Sequence, residues 1–150
     1  MRKFYIFNIN EEFKILNSDD GYSLYKQMEN IHNLDKDNFY NAVKIYETIA
    51  HKLDKNKINE ELNQKYSENY FYTKYQNTHM INNYYRAEES KLTINSAYLI
   101  LETNVVKSTF LKDLKNKCLF ACDFDNKDYF WIDKLSLWNN KKNSKMNIVE

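Results

Sequence analysis

Residues 122 to 131, CDFDNKDYFW, place a thiol, three carboxylates and four aromatic side chains within ten positions. Asp123, Asp125 and Asp128 could in principle ligate a hard cation. A calcium loop of the EF-hand kind needs glycine at its sixth position and a bidentate glutamate at its twelfth. Counted from Asp123, those positions hold Asp128 and Lys134. The alternative is a hairpin turning at Asp125-Asn126-Lys127, because Asp and Asn tolerate turn backbone and bond to it. The hairpin is the reading taken, and no metal site is assigned.

Other reactive side chains are dispersed. His32, His51 and His79 lie far apart, and none has a second ligand at zinc spacing. Cys118 and Cys122 sit in an apolar run that would raise a thiol pKa. In a strand they would stand about 13 Å apart at roughly 3.3 Å per residue, too far for a disulfide. Reduced thiols of a cytosolic protein are expected. No Gly-x-Ser-x-Gly elbow occurs. With one glycine, Gly21, and no proline, the chain cannot build a Gly-rich phosphate loop. No catalytic residues and no cofactor are assigned. Tyr70-Phe71-Tyr72-Thr73-Lys74-Tyr75 interleaves rings with a lysine, as single-strand nucleic-acid binders do. The net charge is only +1, however, from 22 basic and 21 acidic side chains, without the basic excess of a dedicated nucleic-acid binder.

The elements that must position these residues belong to one domain of 150 residues. Hydrophobic residues make up 43 % and aromatic residues 16 %, so a core built largely from Tyr and Phe is expected. No apolar run is long enough to span a bilayer, and the basic-apolar start, MRKFYIF, lacks a small-residue cleavage site. Lys3 to Ile9 reads as a strand ending at Glu11-Glu12-Phe13. Asp19 or Asp20 would cap a helix reaching about Leu34, with Tyr22, Tyr25, Met28 and Ile31 at helical spacing. Asp35 or Asp37 would cap a second, striped by Phe39, Val43, Tyr46, Ile49 and Leu53. A weaker third covers Lys57 to Tyr66. Strands follow at His79 to Tyr85 and Leu92 to Thr103, then a helical stripe at Val106, Phe110, Leu111 and Leu114. The nearly continuous apolar run Cys118 to Phe124 suits a strand covered on both faces, and Tyr129 to Ile132 is its return. Leu135, Leu137 and Trp138 could still pack. The layout predicts an α+β domain over 1–138, with a mixed or antiparallel sheet of about five strands and three to four helices. Residues 139–150 would form a flexible Lys/Asn-rich tail.

Phe4-Tyr5-Ile6-Phe7 followed by Glu11-Glu12-Phe13 resembles the start of the sporulation inhibitor of replication family, SirA. Cys118-Leu119-Phe120-Ala121-Cys122-Asp123-Phe124, with Asn126-Lys127, Tyr129 and Trp131, is similar to that family's C-terminal signature. The resemblance implies a non-enzymatic cytoplasmic regulator. It would bind the N-terminal domain of the replication initiator DnaA and block chromosome replication at commitment to sporulation. It further implies a partner surface holding Phe13 and Glu12, with Ile45, Thr48 and His51 on the second helix, and no direct contact with nucleic acid or membrane. On the residues alone, Glu11 and Glu12 favour water, so the Phe13 ring is not obliged to enter the core. Two other readings stay open: a single-stranded nucleic-acid module using Tyr70 to Tyr75, and a metal-assisted hydrolase using Asp123, Asp125 and Asp128.

Overall fold

The computed structural model describes residues 1–18, 20–33, 39–114 and 118–134, with the side chains of 39–42 left aside. Asp19, Leu34, Asp35, Asp37, Leu135, Leu137, Trp138 and the 139–150 tail lie outside the described residues. In chain order the elements are β1 (Arg2–Asn8), α1 (Glu11–Leu16), α2 (Tyr22–His32), α3 (Phe39–Ile49) and α4 (Lys55–Tyr66). They continue as β2 (Tyr72–Tyr75), β3 (Thr78–Asn83), β4 (Glu88–Ile94), β5 (Leu99–Thr103), β6 (Leu119–Asp123) and β7 (Asp128–Trp131). Short 3-10 segments occupy Thr109–Leu114 and Ile132–Lys134.

The fold is α+β, as expected, but the sheet has seven strands rather than about five. Their order is β2-β3-β4-β5-β1-β6-β7 and every pairing is antiparallel. One expected strand, Leu92 to Thr103, is two: β4 and β5 are separated by a turn at residues 95–98. The tyrosine segment after Tyr70 supplies β2, a four-residue edge. The helical stripe ending at Leu114 is a 3-10 segment.

Alternation along the strands splits the core in two. Phe4, Ile6, Leu92, Leu101, Leu119, Ala121 and Phe130 face one layer, where Ile58, Leu62 and Tyr66 of α4 and Phe110, Leu111 and Leu114 cover them. Phe7, Phe120, Cys122 and Trp131 face the other, against Leu24, Tyr25 and Met28 of α2 and Ile49 of α3. All five residues of β6 are buried, which is why the sequence from Cys118 to Cys122 is apolar without a break, Asp123 entering the buried run as a carboxylate held by Arg2. Burial pushes the Cys122 thiol well up, and both cysteines are free.

Gly21, not Asp19 or Asp20, holds the cap position of α2, with φ +80°. A Cβ there would stand 3.0 Å from the Phe120 ring and 3.5 Å from Trp131. The single glycine therefore meets two demands, left-handed backbone and close approach to aromatic rings.

Candidate functional site

The opening stretch is a hairpin tip. Lys127 takes left-handed backbone, φ +53°, in the turn between β6 and β7. Arg2 donates from Nε to Asp123 and from Nη2 to Asp128, both at 2.8 Å. Asp123 also accepts from the Asn126 backbone N–H, 3.2 Å, and side-chain amide, 2.7 Å. Burial alone would raise its carboxyl, but the bonds from Asn126 and Arg2 outweigh it and hold the pKa below the usual range. Asp125 is exposed. Among the described residues, no three His, Cys, Asp or Glu side chains are grouped to hold a metal ion.

A second buried carboxylate, Glu88, accepts from Ser90 Oγ at 2.6 Å and from Thr109 N and Oγ1 at 2.9 and 2.7 Å. These bonds outweigh burial and lower its pKa. They fasten the loop after β5 to β4. His79 is fully buried. Its ring bonds to the Tyr72 hydroxyl at 2.6 Å and to Asn59 Oδ1 at 2.7 Å. Burial, with Lys74 nearby, pushes it down to about 4, so the ring is neutral and ties α4 to the β2–β3 hairpin. His51 is exposed. His32 stacks on Phe124 at 4.4 Å beside a groove of about 680 Å³ floored by Tyr5, Phe7 and Tyr98 between α2 and α3. None of these three histidines pairs with a cysteine.

Glu11-Glu12-Phe13 is not a strand end. It opens α1, with both glutamates in the first turn, where they complement the partial positive charge of a helix N-terminus. Asn10 precedes the helix, yet its side chain does not cap it. It crosses to α3 instead and donates to the Thr48 carbonyl, while its backbone N–H donates to the Ile49 carbonyl at 2.8 Å. The last carbonyls of a helix lack partners of their own; here Asn10 supplies two. Ile9 pairs with Ala50, and the His51 N–H donates to the Asn8 carbonyl at 2.8 Å. The start of α1 is thereby fixed to the end of α3.

The far end of α1 is fixed too. The Asn17 amide donates to the Phe13 carbonyl at 2.8 Å, and Trp131 Nε1 donates to the Asn17 carbonyl at 3.0 Å. Lys14 pairs with Asp133. α1 has no fully buried residue. Phe13 is half-buried against the second core layer, so its ring does enter the core in part. Glu12, Thr48 and His51 are exposed. Ile45 is exposed as well, as the sequence position outside the α3 stripe implied. Ile15 and Leu16 of α1 are exposed too, 67 % and 81 %; reading Glu11-Glu12-Phe13 as a strand end hid them. Their signal in the sequence is an apolar pair directly after an acidic pair, with no matching stripe.

These features define a small α+β protein on a seven-stranded antiparallel sheet, with α1 fastened to the end of α3 and exposed apolar side chains on both helices. No helix among the described residues is long and apolar enough to cross a membrane. Residues 2–136 match the family of the sporulation inhibitor of replication protein SirA. The chain belongs to that family, which is one of regulators of replication and not a known enzyme family. No curated protein matches the chain.

Proposed function

We propose that the protein is a cytoplasmic, non-enzymatic inhibitor of chromosome replication that binds the N-terminal domain of the initiator DnaA during commitment to sporulation. One observation carries this reading. Glu12 and Phe13 are more than thirty positions from Ile45, Thr48 and His51 in sequence, yet Asn10 ties the start of α1 to the end of α3, two residues before His51, which would make these residues one binding ridge. A preorganised patch loses little ordering entropy on binding. Phe13 would be the anchor, with Glu12, Thr48 and His51 as a polar rim; a few such residues dominate typical interfaces.

The test separates binding from folding. Thr48→Arg and Ile45→Glu change exposed positions and should leave the thermal melt within a few degrees. Each is expected to weaken binding to the purified initiator domain at least tenfold by calorimetry. Absence of binding by the unaltered protein would defeat the partner; full binding by both variants would defeat the ridge.

A further inference from the structure

We infer that Trp131, a core residue of the sheet, positions Phe13 for partner binding and does so through Asn17. α1 has six residues, none of them fully buried. A helix that short does not hold itself together in water, and one half-buried ring, Phe13, gives it little core to rest on. Its outward residues, Glu11, Glu12, Ile15 and Leu16, are all exposed. The geometry of α1 must therefore be imposed at its ends. Asn10 imposes it at the start. At the far end the last carbonyls need partners from outside the helix. The Phe13 carbonyl accepts twice from Asn17, from the backbone N–H at 3.1 Å and from the side-chain amide at 2.8 Å. The Asn17 carbonyl in turn accepts from Trp131 Nε1 at 3.0 Å. A relay of hydrogen bonds thus runs from Trp131 through Asn17 to the backbone of Phe13, although nearly the whole chain separates its two ends.

Trp131 is a firm reference point for that relay. It is 4 % exposed, stands opposite Phe120 in the β6–β7 pairing, and its ring lies 4.8 Å from the Phe120 ring. Neighbouring side chains act on the same helix. Lys14 pairs with Asp133 and sits 5.6 Å from the centre of the Trp131 ring, and Lys134 donates to the Ser18 carbonyl. A buried indole N–H finds an acceptor in most folds; here the acceptor is the carbonyl that closes α1. A phenyl ring could fill much of the same space, but only the N–H reaches the helix. The role of Trp131 in binding rests on Phe13 being the partner anchor, as proposed above. Being buried, Trp131 would act without touching the partner. A helix already held in place spares the complex the entropy of ordering its anchor.

The experiment uses the full chain and the purified N-terminal domain of the initiator. Trp131→Phe keeps a ring in the core and removes the N–H. Asn17→Ala breaks the next link of the relay at a half-buried position, without opening the core. Phe110→Leu, in the other core layer, is the control: it lowers the melt without touching α1. By calorimetry, Trp131→Phe and Asn17→Ala should each bind about five- to tenfold more weakly, the loss expected of one hydrogen bond, with the deficit in entropy. The double variant should be little weaker than either single one, because both break one relay. Phe110→Leu should bind within about twofold of the unaltered protein. In the free protein, the Leu16 and Asn17 amides should exchange about fivefold faster in Trp131→Phe and not in Phe110→Leu. Several results overturn the positioning role and leave the partner intact: binding by Trp131→Phe or Asn17→Ala within about twofold of the unaltered protein, additive losses in the double variant, an equal loss in Phe110→Leu, or unchanged exchange in α1. Absence of binding by the unaltered protein defeats the partner and the positioning role with it.

Discussion

Asp123 is buried and still charged, because Arg2 and both N–H groups of Asn126 face it. Its native pKa lies below the ordinary carboxylate value. The stabilisation is therefore complete above the unfolded pKa, near 4, and is lost as pH falls through the lower native value. Asp123→Asn should cost about 2 kcal/mol at pH 7, below the usual range for breaking a buried pair because Arg2 keeps Asp128 and is part-exposed. The penalty should shrink at pH 3. Urea melts at the two pH values check this; an equal penalty at both would mean that charge is not what Asp123 contributes. Phe13 lies between core and surface. Its truncation to alanine should cost about 1–2 kcal/mol of folding stability, since roughly half the ring's burial is lost, and about 2 kcal/mol or more of binding. Melts and titrations of Phe13→Ala measure both, and an unchanged melt would contradict its half-buried place.

Elements were legible where burial matched a period. β6 was read from five buried positions in a row, and α4 from Ile58 and Leu62 with Asp54 as its true cap, bonding the Lys57 N–H. α1 was missed because Ile15 and Leu16 face water and Phe13 alone turns inward, which makes no stripe. β2 was missed because its burial is slight along its length, so no alternation marks it. The β4–β5 boundary was invisible because the turn at 95–98 contains neither glycine nor proline. Of the ridge, the separate residues could be named, but the crossing of Asn10 to Thr48 is a tertiary event with no local signal. His79 shows a junction of elements acting through protonation. Its native pKa near 4 lies below the unfolded value of about 6.5. Its neutral, buried form is fully stabilising above pH 6.5, and stability falls as pH drops toward 4, where the unfolded ring takes up a proton first. The loss across that window should be roughly 3 kcal/mol. Denaturant melts from pH 7 to 4 should show this slope in the native protein and not in His79→Asn. At the α2 entry, Gly21→Ala should cost about 2–3 kcal/mol, from left-handed strain and the encounter with Phe120; a melt lowered by less than about 2 °C would mean that Phe120 yields freely.

At the scale of the molecule, one sheet serves two core layers, the first mainly Leu and Ile rather than the Tyr and Phe that composition suggested, the second richer in rings, and β1 lies at their common centre between β5 and β6. Amide exchange should therefore be slowest in β1, β5 and β6, opening only with global unfolding. β2, an edge of four residues, should exchange at least a hundredfold faster by nuclear magnetic resonance. Comparable protection in β2 and β1 would mean that the edge is covered. The central place of β1 also has a consequence for the order of synthesis. Phe4-Tyr5-Ile6-Phe7 leaves a ribosome well before either of its partners in the sheet. The strands that flank it, at residues 99–103 and 119–123, come roughly 5–25 s later at ordinary translation rates. During that interval the four helices can form, but the strand that organises both layers has no neighbour to pair with. Nascent chains of this protein should thus be a chaperone's concern in proportion to how slowly the second half is translated.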